Sequence, residues 1–395
     1  MEEVVIVSGV RTAQGKFGGS LSEFSAPNLG SMVIKEAVKR ANINAREIEE
    51  VIMGNVISAG LGQNVARQAA IGAGLPYKTG AFHVNEVCGS SLRAVINAAQ
   101  SIKVGDTKIL VSGGMENMTN CPYLLDKARF GYRLFDGNLV DTMINDGLWD
   151  VYNDFHMGMT GEIIAQKYGI TQEECDKFAL WSHKKAAHAT KKGKFNDEIL
   201  PIEINGKRGK SSVFGYDEGI REDTSLEKLN HLKPAFKKDG VLTAGNSSQI
   251  SDGAAAMVIM SKTEAEKKEI EPLATIKGYN TFSVKPEDTM EAPITSVINL
   301  FDSMDISMDD IDLFEHNEAF SSASVAVMQE LDINRNIFNV NGGAIALGHP
   351  IGASGARILV TMIGEMMREN KDRGLATLCI GGGNAISMLL ERYNN

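Results

Sequence analysis

The stretch VNGGAIALGHPIGASG, residues 340–355, carries the strongest indication of how this chain folds. Helical periodicity follows it as far as Met366, and a short apolar run then ends at Cys379. A similar order occurs earlier, where VNEVCGSS, residues 84–91, leads into a helical pattern and then into a strand that ends at Gly113–Gly114. This repeated order predicts an internal duplication of one α/β half.

Working outward from these two stretches, short apolar runs alternate with segments of helical periodicity. Runs such as Val4–Val10, Ile109–Ser112 and Thr377–Ile380 are typical of buried strands. Between them, the apolar spacing predicts helices such as Asn28–Arg40. The pattern therefore favours the α/β class.

The segment between the two halves differs in composition. It is more charged and less regular, and it includes the basic cluster Lys207, Arg208 and Lys210. We expect an N-terminal α/β half at 1–117, completed by about 250–270, an inserted loop domain at 118–249, and a C-terminal α/β half at 271–395.

Composition and charge exclude several classes of protein. The 395 residues are 43% hydrophobic and 23% charged, which is typical of a globular chain and not of a disordered one. A formal charge of -10 argues against nucleic acid or an anionic membrane as partner. The four cysteines are scattered, and the N-terminus lacks the pattern of a signal peptide. We expect a cytoplasmic protein without a disulfide framework.

The common cofactor motifs are absent or broken. Gly9–Lys16 has one residue too many for a phosphate-binding loop, and Phe17 stands where a hydroxyl is needed. The spacing in Gly342–Gly355 does not fit a dinucleotide site. The seven histidines form no close ligand pair, so we expect no metal.

Four residues stand out as candidates for chemistry. Cys88 precedes a helix, where the helix dipole favours a thiolate and free N–H groups could hold an oxyanion. His349 lies in a glycine-rich turn that lets the backbone approach a substrate, and Cys379 ends a strand. Asn317 follows the run Ile311–Phe314, at the edge where α/β sheets bind ligands. The alternatives are buried filler cysteines, a locally bonded loop histidine and a simple turn.

The chain resembles the thiolase family over nearly its full length. The matching strings lie in the same order as in that family: Val87–Ser90, Gly113–Met118, Ala244–Asn246, Asn317–Phe320, Gly342–Gly355 and Cys379–Gly383. Phe155–Gly158 makes the biosynthetic branch, the acetyl-CoA acetyltransferases, the nearest match. The resemblance implies a duplicated core layered α-β-α-β-α with a large inserted loop domain.

The resemblance also implies a role for each matched residue. Cys88 would take an acetyl group from acetyl-CoA while His349 accepts its proton. Cys379 would then remove a proton from the α-carbon of a second acetyl-CoA. His349 and a water held by Asn317 would stabilise the enolate, and the backbone N–H groups of Cys88 and Gly381 would stabilise the tetrahedral intermediate.

Coenzyme A thioesters are substrates in this family, so the resemblance implies acetyl-CoA and CoA as partners, with no resident cofactor and no metal. It assigns the binding of CoA to a further set of residues, with Arg221 on the phosphate or adenine side: Leu148, His156, Met157, Arg221, Ala244, Ser248, Ile250, Ala319 and Phe320. It also implies a homo-oligomer, a dimer or a tetramer, to which apolar residues in Tyr123–Phe135 could contribute contacts.

Several positions depart from the family pattern. Ser91, Ser321–Ser322 and Asn384 replace residues that are usually smaller or apolar, and Thr289–Pro293 replaces a glycine-rich segment near the acyl pocket. Glu86 would oppose thiolate formation if it faced Cys88.

Three alternatives to acetyl-CoA condensation remain open. They are a degradative 3-ketoacyl-CoA thiolase for longer chains, a ketoacyl synthase acting on carrier-protein thioesters, and a silent acyl-CoA binding protein. Cys379 argues against the synthase, which pairs its cysteine with two histidines. Retention of all four catalytic residue types argues against the silent binding protein.

Overall fold

The apolar runs form strands in the computed structural model, which describes residues 2–205 and 211–393. The strands are β1 (Val4–Thr12), β2 (Gly15–Lys16), β3 (Glu50–Gly54), β4 (Gly80–Val84), β5 (Ile109–Asn117), β6 (Tyr123–Leu124), β7 (Val140–Asp141), β8 (Trp149–Asp150), β9 (Phe155–His156), β10 (Ile199–Leu200), β11 (Ile202–Asn205), β12 (Ser211–Phe214), β13 (Ser251–Ser261), β14 (Ala274–Ser283), β15 (Leu313–His316), β16 (Arg373–Ile380) and β17 (Asn384–Arg392). The basic cluster Lys207, Arg208 and Lys210 lies outside the described residues.

Helices fill the segments between these strands. They are α1 (Ala26–Arg40), α2 (Val65–Gly72), α3 (Ser90–Val104), α4 (Gly158–Tyr168), α5 (Gln172–Lys191), α6 (Leu226–Asn230), α7 (Lys262–Lys267), α8 (Ala292–Met304), α9 (Ser321–Glu330), α10 (Ala344–Leu347) and α11 (Ser354–Glu369). Short 3₁₀ segments lie at Ala45–Glu47, Pro286–Glu291 and Met308–Asp310, and Met143–Leu148 is a π-helical turn.

The main sheet joins the strands of both halves. In the described part of the chain its order is β15-β16-β17-β14-β1-β13-β5-β3-β4, with β10 on β1 and β2 on β13. The halves meet where β1 pairs with β14, at Val5↔Thr275 and Ile6↔Ala274.

Successive side chains along each strand point to opposite faces of the sheet, so they pack against different layers of helices. In β13, Ala254, Ala256 and Val258 pack with α1 and α2, whereas Met257 and Ile259 pack with α3 and α11. In the C-terminal half, Ile386, Met388 and Leu390 of β17 also face α3 and α11, and Leu389 faces the layer formed by α4, α5, α8 and α9. The layer order is thus helix, sheet, central helices, sheet, helix. This confirms the α-β-α-β-α class with two similar halves.

Helix α1 begins two residues before the predicted start at Asn28. Ser25 is its N-cap: the Ser25 hydroxyl accepts from the Asn28 N–H, and the Asn28 side chain accepts from the Ser25 N–H. Pro27 lies in the first turn, where its missing N–H costs nothing. Capping therefore extends the helix beyond its apolar stripe.

The segment 118–249 contains more regular structure than its composition suggests. Helix α5 buries Cys175, Phe178 and Ala179 in the apolar cluster of the C-terminal half, where they join Phe338. Strand β10 adds to β1 in the N-terminal half. The insertion is therefore packed onto both halves. The domain boundaries themselves stay predictions.

Candidate active site

Cys88 and His349 are brought together by the two central helices. Cys88 lies just before α3 and His349 lies in the turn before α11. The helix starts touch, because the Ser91 hydroxyl accepts a 2.9 Å hydrogen bond from the backbone N–H of Ala356. A Cβ on Gly355 would lie 2.7 Å from the backbone nitrogen of Leu92. The duplicated turn–helix units therefore form one site at their contact.

The turn that holds Cys88 is strained. Val87 has a φ of 46°, which is rare for a β-branched residue. The backbone N–H groups of Cys88 itself and of Gly381 donate to the thiol sulfur, and both lower its pKa. Burial outweighs them and, together with the charge of Glu116, raises the pKa of Cys88 to about 12. Burial therefore opposes the thiolate that the position before the helix favours.

Cys379 and Asn317 reach the same place from neighbouring parallel strands. β15 and β16 pair in register up to His316↔Thr377, and the Asn317 N–H donates 3.1 Å to the Thr377 carbonyl. Cys379 is 2% exposed. Burial raises the pKa of its thiol, and the nearby Cys88 sulfur raises it further. The two thiols are thus close enough to interact electrostatically.

His349 is held in one tautomer by its neighbours. The Ser354 hydroxyl donates 2.9 Å to the Pro350 carbonyl, so this hydroxyl must accept from His349 Nδ1, 2.6 Å away. Nε2 is therefore the acceptor nitrogen of the neutral ring. Burial and the positive charge of Arg357 lower the pKa of His349 to about 3. The resting thiol and imidazole are both neutral.

Asn317 completes this group. Its Nδ2 lies 3.4 Å from both ring nitrogens of His349, and the residue is 0% exposed. Its Oδ1 is buried and has no hydrogen-bond partner in the described part of the chain. A water or a ligand donor would satisfy this oxygen.

A cavity of about 490 Å³ opens onto His349. Seven of the residues predicted to bind CoA line it: Leu148, His156, Arg221, Ala244, Ser248, Ile250 and Phe320. Met157 lies instead beside Gly381, where a Cβ would be 3.8 Å from the Met157 sulfur. Ala319 is buried in the apolar cluster of the C-terminal half and is outside the cavity wall.

The cavity wall also contains residues that sequence reasoning missed. Phe236 stacks on His156 at 5.0 Å and meets Phe320 edge-on at 5.6 Å. Lys16 and Phe17 reach the cavity wall because β2 pairs with the start of β13. For Lys16 and Phe17, the only indication in the sequence was the glycine-rich stretch Gly9–Lys16, which does not fit a phosphate-binding loop. No sequence pattern indicated Phe236.

Two departures from the family pattern have a structural explanation. Glu86 forms an ion pair with Arg93 of α3, with a shortest N–O distance of 2.5 Å. The charge of its carboxylate is therefore balanced by the guanidinium of Arg93. Ser91 accepts from the N–H of Ala356 and so caps the start of α11. Neither residue disturbs the thiol.

Residues 2–205 and 211–393 contain neither a cluster of metal ligands nor a helix that could span a membrane. No three His, Cys, Asp or Glu side chains lie close enough together in these ranges to hold a metal ion. No helix in them combines the length and apolar character needed to cross a membrane.

Known proteins resemble this chain in sequence and in structure. The acetyl-CoA acetyltransferase of Cupriavidus necator is 50% identical over 99% of this chain and 100% of its own. A probable acetyl-CoA acyltransferase of Staphylococcus aureus is 47% identical over 100% of both chains. The crystal structure of the Bacillus anthracis acetyl-CoA acetyltransferase superposes with a TM-score of 0.97 at 41% identity, covering 100% of this chain and 99% of that one.

Family models match both halves. The thiolase N-terminal domain matches residues 4–263, and the thiolase C-terminal domain matches residues 270–392. Together with the duplicated α/β core and the neighbouring thiols of Cys88 and Cys379, these matches confirm the resemblance to the thiolase family. The chain belongs to the thiolase family.

Proposed function

We propose that this protein is an acetyl-CoA acetyltransferase, which condenses two acetyl-CoA to acetoacetyl-CoA and CoA and catalyses the reverse thiolysis. The observation that carries the proposal is that the Cys88 and Cys379 thiols lie close enough to interact, while His349, in contact with Asn317, lines a cavity. A nucleophile and a separate base are what a two-step condensation needs. The names of the relatives at 50% and 41% identity support the same reaction.

In the first step, the Cys88 sulfur attacks the carbonyl carbon of acetyl-CoA while its proton moves to Nε2 of His349. Both groups are neutral at rest, so this transfer accompanies the attack and does not precede it. The tetrahedral intermediate expels CoA as a thiolate, which takes the proton of Cys379. The products are acetyl-Cys88, free CoA, a Cys379 thiolate and a protonated His349.

In the second step, the Cys379 thiolate removes a proton from the α-carbon of a second acetyl-CoA. The resulting enolate carbon attacks the carbonyl of acetyl-Cys88, and the Cys88 sulfur leaves and recovers its proton from His349. Acetoacetyl-CoA is released, and all three groups return to their starting states.

Two sets of donors stabilise the oxyanions. The N–H groups of Cys88 and Gly381, which already donate to the thiol, serve the tetrahedral intermediate. Protonated Nε2 of His349 and a water on the free Oδ1 of Asn317 serve the enolate. Such donors are each worth about 3 to 4 kcal/mol in acyl-transfer sites.

The cavity wall supports CoA as the partner. The thioester lies near His349, and the phosphate or adenine end lies toward Arg221. Lys16 adds a second cation to the wall. That acetyl-CoA and CoA are the partners, without a resident cofactor or metal and in the cytoplasm, stays part of the proposal.

A buried methionine supports a preference for the acetyl group over longer acyl chains. Met290 is 2% exposed and packs in one apolar cluster with Met157 and Cys379. It lies in the segment Thr289–Pro293, where the thiolase family usually has glycines near the acyl pocket. The alternative of longer chains is favoured by the acyltransferase name of the Staphylococcus aureus relative.

The test compares thiolysis of acetoacetyl-CoA with thiolysis of 3-ketooctanoyl-CoA. We expect kcat/KM to favour acetoacetyl-CoA at least about tenfold, since one or two excluded methylenes are each worth about 1 kcal/mol or more. Met290→Ala should narrow this ratio, whereas Met304→Ala, a half-buried methionine on α8, should not. A preference for the longer substrate would support the degradative alternative, and inactivity on both would contradict the proposal.

The covalent step is tested by intact-mass spectrometry and peptide mapping after exposure to acetyl-CoA. We expect one acetyl group on Cys88, and none in Cys88→Ser, because a serine hydroxyl is far less acidic than a thiol. Acetylation of a different cysteine would overturn the assignment of the nucleophile.

A further inference from the structure

Glu116, near the end of β5, is a buried carboxylate that accepts hydrogen bonds from four donors. Within residues 2–205 and 211–393 it forms no ion pair. Its Oε2 accepts from the backbone N–H groups of Val56, at 2.9 Å, and Gly352, at 3.0 Å. Its Oε1 accepts from the side chain of Asn55, at 2.9 Å, and the backbone N–H of Ile57, at 3.3 Å. Glu116 is 0% exposed.

The carboxylate bridges the two halves of the molecule. Asn55–Ile57 follows β3 in the N-terminal half, and Gly352 belongs to the turn between His349 and α11 in the C-terminal half. A Cβ on Gly352 would lie 2.6 Å from Glu116 Oε2, so only glycine permits this approach. Two turns that are distant in sequence are thus tied to one side chain.

The first of these ties reaches His349. The Ala353 N–H donates 2.8 Å to the Pro350 carbonyl, which closes the turn that contains Gly352. The same carbonyl accepts from the Ser354 hydroxyl, which in turn orients His349 Nδ1. Displacing the turn at Gly352 would therefore rotate the imidazole.

The second tie reaches Cys88. The carbonyl of Val56 accepts 3.2 Å from the side chain of Asn85, whose Oδ1 accepts 3.0 Å from the N–H of Val87. Val87 is the strained residue just before the thiol. One carboxylate thus adjoins the supports of both the nucleophile and its proton acceptor.

We propose that Glu116 is a positioning residue, which holds the turn of His349 against the turn that supports Cys88 across the junction of the two halves. The inference rests on the proposed function for the step it serves, the proton transfer from Cys88 to His349. The charge of Glu116 also raises the pKa of Cys88, but its positioning role acts through these turns, and it touches no reacting atom.

Glu116→Gln tests the proposal with almost no change of volume. An amide must direct its NH₂ group at two of the four N–H donors, whichever way it turns, so the junction should open slightly. We expect kcat for thiolysis of acetoacetyl-CoA to fall about 100-fold, the effect of a misplacement near 1 Å, with KM within about threefold of wild type. Glu365→Gln, a matched change of a buried carboxylate on α11 bonded to Asn341 and Lys194, should keep kcat within about threefold.

A double-mutant cycle separates positioning from general destabilisation. If Glu116 acts through His349, adding Glu116→Gln to His349→Ala should lower kcat by less than about threefold. The imidazole is already absent in that background, so it cannot be misplaced. An equal loss of kcat in both backgrounds would overturn the proposal. So would unchanged kcat in Glu116→Gln, or an equal loss in Glu365→Gln.

A second readout does not depend on the substrate. Removing the charge of Glu116 lowers the pKa of Cys88, which by itself would speed alkylation by iodoacetamide. We expect the loss of His349 positioning to outweigh this effect, so the rate of Cys88 alkylation at neutral pH should fall in Glu116→Gln and should not fall further when Glu116→Gln is added to His349→Ala. If wild type were inactive on acetoacetyl-CoA, the proposed function would fail, and this alkylation cycle would still decide the role of Glu116. If Glu116→Gln does not fold, Asn55→Ala is the substitute, because it removes only one donor to Glu116. We expect it to lower kcat and the rate of Cys88 alkylation by roughly five- to tenfold, again only when His349 is present.

Discussion

At the scale of single residues, burial decides the chemistry of the site. The position of Cys88 before a helix favours a thiolate, yet desolvation raises the pKa of the thiol to about 12. The same physical cause lowers the pKa of His349 to about 3. Both shifts favour the neutral forms of Cys88 and His349, so the mechanism we propose creates the thiolate only when substrate and oxyanion donors are in place.

The pH dependence of Cys88 reactivity follows from these shifts. In His349→Ala, the rate of alkylation by iodoacetamide should rise about tenfold per pH unit from pH 7 to about pH 10, because the thiolate fraction grows that way below a pKa near 12. Peptide mapping over time measures the rate at each cysteine. Cys121 is an internal control, since burial also raises its pKa to about 12 and His349→Ala should leave its rate unchanged. A plateau for Cys88 below pH 8 would contradict the raised pKa.

At the scale of elements, the site depends on how closely α3 and α11 approach each other. The helix starts meet through small groups, with Gly355 against Leu92 and the Ser91 hydroxyl against the N–H of Ala356. Cys88 and His349 precede these helices, so the spacing of the helices sets the spacing of the reacting groups.

Gly355→Ala should therefore separate the two helices. The added Cβ would lie 2.7 Å from both the backbone nitrogen and the Cβ of Leu92, atoms that cannot turn away. We expect a loss of about 1–3 kcal/mol in the free energy of unfolding, and a fall in kcat of at least tenfold. Denaturant titration and thiolysis of acetoacetyl-CoA measure the two effects.

Gly364→Ala is the matched control on the same helix. Its Cβ would meet only side-chain ends, with the nearest 3.1 Å away at Glu198 Oε2. We expect Gly364→Ala to keep the wild-type kcat, since Gly364 lies more than two turns beyond the start of α11, which follows His349. Equal kcat in the two variants would show that the helix spacing does not control the site.

At the scale of the whole molecule, two surfaces are suited to contacts between copies. β4 ends the sheet order, so one edge of this strand has no neighbour among the described strands. The segment 123–139 exposes large apolar side chains, including Phe130 at 84% and Phe135 at 96%. Soluble monomers rarely expose such residues in clusters.

The predicted homo-oligomer is tested by light scattering at micromolar concentration, where we expect the mass of a dimer or a tetramer. Replacing both Phe130 and Phe135 by Asp should lower the assembled mass if this segment forms an interface. Val213→Asp, at an exposed apolar residue that belongs to neither surface, should not change the assembled mass. A monomeric wild type would overturn the prediction.

How much of this could be predicted from the sequence depends on the range of the interactions. Apolar periodicity predicted the strands Val4–Val10 and Thr377–Ile380 inside the observed β1 and β16, because alternation and length are local properties. Helix α5 was not predicted, because its buried face relies on small and polar side chains such as Ser182 and Ala186. Those become a core face only against the C-terminal half.

The sequence by itself determined the α/β class, the duplication, and Cys88, His349, Cys379 and Asn317 as candidates, because short motifs carry that information. Only the tertiary structure decided that Asn317 contacts His349, that burial raises the pKa of the Cys88 thiol, and that Glu116 bonds both Val56 and Gly352. The physical reason is that pKa values depend on burial and that the site lies at a contact between halves. Neither burial nor that contact can be read from neighbours along the chain.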